Sequence, residues 1–208
     1  SAYAPDDNHD FYWLAREYFG AFMPIAKHGH IKRVIGDLID GKASVGVVPQ
    51  LRAGDASYWW ASLIRQEHKT LKIFAHLPFM HYDAQGKDAP SALAIAHVEP
   101  EETGDDLSLF VLETDPNVSQ SRLQTTFTAA KLDVCWIDIA TFNAAGRHHL
   151  LEIKGFLTPG HEPMKQAMAA LGSSALSLEF LGAYARPLTL ESPQPMDGNN
   201  HGPTAANA

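Results

Sequence analysis

Histidine, the commonest metal ligand among side chains, is abundant in this chain, but its spacing points away from a metal site. The sequence holds 11 histidines in 208 residues. His28 and His30 are two residues apart, and His148 and His149 are adjacent, so neither pair has the i, i+4 helical spacing of a zinc site. Adjacent strand residues point to opposite faces, so at most one of His148 and His149 can reach a shared ligand. We therefore predict no metal site and no cofactor.

The chain has a single cysteine, Cys135, which excludes a disulfide within it. Cys135 lies in an apolar stretch that is predicted to be a strand, and no histidine stands beside it in the pattern to accept the thiol proton. A free cysteine in such a stretch usually behaves as a small core residue. The pattern therefore predicts a buried structural thiol and not a nucleophile.

A second set of polar residues could form a catalytic site only if the fold assembled it. The set consists of Asp6, Asp7 and Asp10 together with Arg52 and Ser91. Carboxylates and a hydroxyl are groups that acid–base and nucleophilic catalysis use. Nothing in the sequence brings these residues together. We predict no catalytic residue, and a residual site for some other reaction is the least favoured alternative.

Composition restricts the partners of the chain. The formal net charge is −8 at pH 7, and the 16 lysines and arginines are scattered. A nucleic-acid footprint needs a clustered basic face, so nucleic acid is not an expected partner. No apolar run approaches the length that spans a bilayer, so a membrane is not expected either. These features predict a cytoplasmic protein.

The apolar spacing of residues 107–184 predicts one compact unit with the order strand, helix, strand, strand, helix, strand. Ser119 can cap a helix in which Leu123 and Phe127 share one face. Pro163 stands where the first turn of the second helix tolerates it. The order is that of the ferredoxin-like βαββαβ arrangement.

The first hundred residues predict a second unit, in which strands alternate with helices. Phe11, Leu14, Tyr18 and Phe22 form the apolar stripe of a first helix that Pro24 ends. Strands that alternate with helices form a parallel sheet. The sequence therefore predicts a small parallel-sheet α/β lobe.

The rest of this lobe follows the same alternation. Residues 31–40 form the second helix, with Gly41 as its left-handed cap, and residues 44–48 form a continuously apolar strand. Residues 58–60, Tyr-Trp-Trp, are predicted to be helical. Such aromatic side chains either pack against a sheet or mark an exposed interaction surface, and we favour packing.

Two stretches resemble prephenate dehydratase. Residues 180–186, FLGAYAR, are similar to the end of the carboxy-terminal ACT domain of that family, a small regulatory module of amino-acid enzymes. Residues 41–49, which end in GVVP, resemble a strand of its first catalytic lobe, and residues 71–78 resemble the strand that leaves that lobe. The resemblance implies half of a periplasmic-binding-protein-like dehydratase domain followed by an ACT-type domain.

The catalytic motifs of that family are replaced in this chain. The glycine-proline-x-glycine turn corresponds to residues 5–10, and the glutamate-asparagine-serine triplet to residues 51–53. The threonine-arginine-phenylalanine triplet corresponds to residues 91–93, and only residues 81–90 stand where a second lobe is expected. Dehydration needs preorganised donors from two walls of a cleft, so we predict that it has been lost. The vestigial cleft that the resemblance implies consists of Asp6, Pro49, Gln50, Arg52 and Ser91.

A third resemblance explains why such a lobe would persist. Residues 3–7, 13–20 and 102–115 look like the region that follows the helical domain of certain bacterial chorismate mutases. This resemblance implies that the chain is the regulatory and assembly part of a chorismate mutase of aromatic amino-acid biosynthesis. The mutase active site would then lie in an upstream helical domain. The alternative is a stand-alone ACT-type sensor of a small molecule, and residual prephenate dehydratase activity is less favoured.

The resemblance also implies a ligand site and a partner. In the dehydratase family, phenylalanine lies between paired ACT domains, at positions that correspond here to Asn117, Val118, Ser119 and Asp138. Val118 replaces a glycine where the backbone must approach the ligand, which disfavours phenylalanine. An aromatic amino acid or a prephenate-like molecule remains the ligand class. Pairing of the sheets does not depend on these residues, so a homodimer is expected.

Composition shifts predict the domain boundaries. The α/β lobe spans residues 1–98, and an acidic linker with proline and glycine spans residues 99–106. The ACT-like domain spans residues 107–186. Residues 187–208 are rich in proline, glycine and asparagine and poor in large apolar side chains, which predicts a disordered tail.

Overall fold

The computed structural model describes residues 1–51, 58–65, 70–82, 89–143 and 146–191. Helices of this described part are α1 (Asp10–Phe19), α2 (Ile31–Ile39), α3 (Gln120–Ala129) and α4 (Glu162–Leu171). Its strands are β1 (Ala2–Tyr3), β2 (Lys27–His28), β3 (Val45–Pro49), β4 (Leu71–Leu77), β5 (Met80–Tyr82), β6 (Ala92–His97), β7 (Asp106–Thr114), β8 (Val134–Asn143), β9 (Gly146–Lys154), β10 (Ala175–Ala185) and β11 (Leu188–Leu190). Short 3₁₀ helices lie at Trp59–Ser62 and Gly172–Ser174.

Nine of these strands form one mixed sheet in the order β2-β1-β3-β6-β4-β10-β7-β9-β8. Strands β1, β2 and β3 are parallel, as the alternation of strands and helices predicts. Strand β6 lies antiparallel between β3 and β4. The predicted α/β class is confirmed, but the sheet of the first unit is mixed and not parallel throughout as predicted, because β6 runs antiparallel. The sequence also did not indicate that one sheet runs through both predicted units.

Helix α2 confirms its predicted packing, whereas α1 ends earlier than predicted. Val34, Ile35 and Leu38 of α2 are buried. Helix α1 ends at Gly20, whose φ of +94° breaks the helical path. Phe22 therefore lies beyond the helix and is fully exposed, so its assignment to the apolar stripe was wrong.

The second half of the sheet has the element order β7-α3-β8-β9-α4-β10. Its strands are antiparallel in the spatial order β10-β7-β9-β8. The Ser119 hydroxyl accepts a hydrogen bond from the Arg122 amide at 3.3 Å, which confirms the predicted cap of α3. Phe110, Phe127 and Met164 form part of the core between this sheet and its two helices.

The opposite face of the same half packs against the first half of the chain. Leu109, Val111 and Leu150 belong to one buried cluster with Trp59 and Trp60. The two tryptophans are 3 % and 2 % exposed, so the predicted packing role is confirmed for them. The 3₁₀ helix that carries them therefore helps to close the core between the halves.

Strands β4 and β10 join the two halves of the sheet through a very close backbone approach. Gly182 of β10 pairs with Ile73 of β4, and its φ is +141°. A Cβ atom at Gly182 would lie 2.0 Å from the carbonyl oxygen of Ile73. Only glycine fits this position, because any side chain would push the two strands apart.

The segment that follows β10 contains a further strand. Leu188–Leu190 form β11, which pairs in parallel with β5, Met80–Tyr82. The residues after 186 are therefore not disordered from their start, as the composition had suggested. Backbone pairing with β5 orders this part, which composition alone does not register.

Cys135 is exposed, and its predicted burial was wrong. Strand β8, which carries it, lies at the edge of the sheet. Partial desolvation and the negative charges of Glu152 and Asp133 raise the pKa of the Cys135 thiol. A raised pKa leaves less of the reactive thiolate at neutral pH.

Within the described residues, no helix has both the length and the apolar character needed to cross a bilayer.

Candidate functional site

A cavity of about 350 Å³ opens at the ends of the central strands, and we name it the Gln50 cavity. Gln50 follows directly after β3, Pro78 follows β4, and Ser91 precedes β6. Carboxyl ends of neighbouring strands in an α/β sheet are where ligands commonly bind. The described residues that line the cavity are Gln50, His76, Pro78, His81, Ala89, Pro90, Ser91, Arg186, Pro187 and Thr189.

Gln50 and Ser91 bind each other across the cavity floor. The Ser91 hydroxyl donates to the side-chain oxygen of Gln50 at 2.5 Å, and the backbone N–H of Gln50 donates to the Ser91 carbonyl at 3.0 Å. A hydroxyl that donates to a neutral amide oxygen has no base to take its proton. The pair is therefore suited to hold the two strands in register and not to attack a substrate.

Two histidines line the same cavity. His76 is 8 % exposed, and its Nδ1 lies 3.2 Å from the Pro78 carbonyl oxygen. Burial lowers the pKa of His76, and the nearby charge of His81 lowers it further, although the bond to Pro78 opposes them. His76 is therefore a neutral imidazole at pH 7. His81 contacts the Thr189 hydroxyl through Nε2 at 3.1 Å.

Arg186 supplies a positive charge at the cavity wall. Its Nε lies 3.3 Å from a carboxylate oxygen of Asp105, and its backbone amide donates to the Asp105 carbonyl at 2.8 Å. Both side chains are more than one third exposed, so solvent screens this ion pair. The guanidinium thus has capacity left for an anionic group of a ligand.

Taken together, these side chains can bind a small polar or anionic molecule. No carboxylate occurs among the described lining residues, so the described wall offers no carboxylic acid to protonate a leaving group. The hydroxyls of Ser91 and Thr189 are already hydrogen bonded.

Of the predicted cleft residues, the structure brings Gln50 and Ser91 together. Pro49 is the last residue of β3, next to Gln50. Asp6 is exposed in the turn after β1 and does not line the cavity. Arg52 lies outside the described residues. The sequence analysis therefore identified Gln50 and Ser91 and missed most of the other residues that line the cavity.

The residues that sequence reasoning missed come from distant parts of the chain. Arg186 and Thr189 lie beyond β10, in the segment that was predicted to begin the disordered tail. His81 stands opposite Thr189 in the pairing of β5 with β11. The position of His76 one residue before the end of β4 was a usable signal, because side chains near the carboxyl ends of such strands often face a ligand site.

The four residues that were predicted to form the ACT-type site make structural contacts within the fold. The Asn117 amide and side chain both donate to Asp115, at 2.8 and 2.9 Å. Val118 is 4 % exposed and belongs to the core, and Ser119 caps α3. Asp138 pairs through its backbone with Leu150. None of the four residues lines the Gln50 cavity. Their role in ligand binding stays a prediction.

Within the described residues, no group of three or more histidine, cysteine, aspartate or glutamate side chains is placed to hold a metal ion.

Comparison with known proteins gives a likeness of fold. No family profile matches the chain, and no curated protein matches it. Among solved structures, GqqA, described as a novel type of quorum-quenching acylase, has a TM-score of 0.64 at 11 % identity. The match covers 89 % of this chain and 94 % of GqqA.

Prephenate dehydratases are similar to the same degree. The enzyme of Arthrobacter aurescens, solved in complex with L-Phe, has a TM-score of 0.62 at 13 % identity, covering 90 % of each chain. The enzyme of Staphylococcus aureus has a TM-score of 0.63 at 13 % identity, covering 88 % of this chain and 99 % of that enzyme. The chain therefore has a prephenate-dehydratase-like fold, as the sequence resemblance implied.

Proposed function

We propose that this chain is the non-catalytic regulatory and assembly region of a chorismate mutase of aromatic amino-acid biosynthesis. The observation that carries the proposal is the Gln50–Ser91 pair, which occupies the floor of the cleft in a prephenate-dehydratase-like fold. In the resemblance Ser91 stands at a catalytic motif position and Gln50 directly precedes another, and here their polar groups are bound to each other. In this proposal dehydratase activity has been lost, because the described lining of the Gln50 cavity holds no carboxylic acid to assist the departure of hydroxide.

The assembly role belongs to residues 107–186, which act as an ACT-type domain. The order β10-β7-β9-β8 leaves β8 as an edge strand, and an unpaired edge can join the same strand of a second copy. A homodimer formed in this way would join the sheets of two chains. A helical mutase domain upstream of Ser1 completes the proposed protein.

Turnover assays test the proposal. We expect the purified chain to convert neither chorismate nor prephenate, and a longer protein that includes the residues encoded before Ser1 to convert chorismate to prephenate. Turnover of prephenate by the chain alone would overturn the loss of dehydratase activity. Cleavage of an acyl amide substrate would instead indicate an acylase, the activity named for GqqA.

A second candidate is a stand-alone sensor of a small molecule, and the Gln50 cavity favours it. Arg186 at the wall and hydrogen-bonding groups on the floor fit an aromatic amino acid or a prephenate-like anion. A ligand present at a hundredfold excess over its dissociation constant stabilises the folded state by about 2.7 kcal/mol. Thermal unfolding with each aromatic amino acid, chorismate and prephenate would detect such a ligand. Unchanged unfolding with all of them would remove this candidate.

A further inference from the structure

A second cavity lies at the carboxyl ends of β1 and β2, at the start of α2, and we name it the α2 cavity. Its volume is about 400 Å³. Tyr3 is the last residue of β1, and Gly29 follows β2. The residues of its lining on which the argument rests are Tyr3, Gly29, His30, Ile31, Lys32 and Trp59. It shares no lining residue with the Gln50 cavity.

The amino terminus of α2 lies at this cavity. The helix has nine residues, and the first amides of a helix have no intrahelical acceptor. His30 occupies the cap position but makes no side-chain cap hydrogen bond. The first turn carries no acidic side chain. Aligned peptide dipoles add partial positive charge at this end, so the site attracts an anion.

Trp59 provides an independent observation at the same place. Trp59 lines the cavity and is 3 % exposed, yet its indole Nε1 meets no hydrogen-bond acceptor among the described residues. A buried N–H without an acceptor is uncommon in folded proteins and indicates a missing partner. An indole N–H can only donate, so the partner must offer a lone pair.

Charge in the lining agrees with that requirement. Lys32 lies in the first turn of α2, and no described carboxylate forms an ion pair with it. No acidic residue occurs among the described lining residues. The rings of Tyr3 and Trp59 give the cavity apolar walls, which suit a ligand with a flat apolar body.

We propose that the α2 cavity binds a small oxyanion, a carboxylate or a phosphate, through the α2 amides and the Trp59 indole N–H. Lys32 adds charge at the mouth. The ligand oxygen accepts the hydrogen bond for which Trp59 finds no acceptor in the described part of the chain. This site is independent of the proposed function, because it uses none of the residues of the Gln50 cavity.

Calorimetric titration of the whole chain tests the site, with sodium phosphate and sodium benzoate as separate probes at constant ionic strength. We expect saturable binding of at least one probe in the millimolar range or tighter. Stronger binding of phosphate would indicate a phosphorylated ligand, and stronger binding of benzoate would indicate an aromatic carboxylate. Absence of saturable binding with both probes would overturn the proposal.

Two variants locate the bound anion. Trp59→Phe keeps an aromatic ring and removes the N–H, and we expect at least about tenfold weaker binding, since hydrogen bonds to charged groups are among the strong ones. Trp13→Phe, at an exposed tryptophan, is the matched control and should bind as the unchanged protein does. Equal affinity in a folded Trp59→Phe protein would contradict the proposal.

The second variant, Lys32→Gln, tests the site even if Trp59→Phe does not fold. Lys32→Gln removes an exposed charge at the mouth, and we expect binding to weaken by about threefold to fivefold. Lys165→Gln makes the same change in net charge on the exposed side of α4 and should leave binding unchanged. Equal effects of the two lysine variants would show a diffuse charge effect and refute the site.

Discussion

The two halves of the sheet differ in the surroundings of their buried histidines, His149 and His76. In the second half, His149 lies in β9 between β7 and β8, is 1 % exposed and contacts the Thr114 hydroxyl at 3.0 Å. In the first half, His76 lies at the end of β4 and lines the Gln50 cavity. Burial lowers the pKa of both imidazoles. Of these two histidines, His76 lines a cavity and His149 contacts a neighbouring strand, so the first half contributes an imidazole to the candidate site and the second half uses one in its core.

The largest expected effect on stability comes from disrupting the contact between β4 and β10, which connects the two halves of the sheet. In Gly182→Ala the new Cβ would collide with the Ile73 carbonyl, at a φ that favours glycine. We expect a loss of more than about 5 kcal/mol, enough to prevent folding. Chemical denaturation would measure it. Gly160→Ala, where the nearest atom is 3.7 Å away, is the control and should change stability little. A stable Gly182→Ala protein would show that the halves do not depend on this contact.

The next effect concerns the aromatic packing between the halves. Trp60→Ala removes a side chain that is 2 % exposed and belongs to the shared core. Truncation of a buried tryptophan costs about 3–5 kcal/mol. Trp13→Ala, at a residue that is 59 % exposed, should stay within about 0.5 kcal/mol. Similar losses in both variants, measured by urea unfolding, would contradict the packing described here.

The pH dependence of stability sharpens the comparison of the two histidines. Burial, followed by the charges of Arg147 and His148, lowers the pKa of His149 from 6.5 to about 4. The unfolded chain takes up this proton below about pH 6.5, whereas the folded protein takes it up only near pH 4. Stability therefore falls as the pH drops through this window, by at most about 3 kcal/mol from His149, and this contribution is constant below it.

Unfolding free energies measured between pH 4 and pH 7 would give the slope of stability against pH. We expect His149→Gln to flatten it, and His9→Gln, at an exposed residue, to leave it as in the unchanged protein. His76, whose pKa is also lowered, keeps part of the slope in His149→Gln. An identical slope with and without His149 would show that the imidazole titrates normally in the fold.

The smallest expected effect lies in the candidate site. Ser91→Ala removes the hydroxyl that donates to Gln50 but keeps the backbone hydrogen bond from Gln50 to Ser91. We expect a loss of about 1 kcal/mol, typical of one hydrogen bond. Thr189→Val changes another hydroxyl of the cavity at an exposed contact and should cost less. A loss of several kcal/mol in Ser91→Ala would mean that this cavity is a structural core.

Local sequence signals predicted elements well where they depend on neighbouring residues. The cap by Ser119, the buried face of α2 and the left-handed Gly41, with a φ of +68°, are each set within a few residues along the chain. Gln50 and Ser91, two of the residues that line the Gln50 cavity, were also predicted, from the resemblance to the dehydratase cleft. The prediction that Cys135 is buried was wrong, because the apolar pattern of a strand does not reveal whether that strand lies at the edge of the sheet.

What the sequence determined by itself is the order and type of most elements, through apolar periodicity, caps and turn residues that act over short distances. What only the tertiary structure decided is which distant segments meet. Gly182 pairs with Ile73, β11 pairs with β5, and Trp59 lines the same cavity as the start of α2. These contacts link residues far apart in the chain, so their free energy comes from strand pairing and packing that no local pattern encodes.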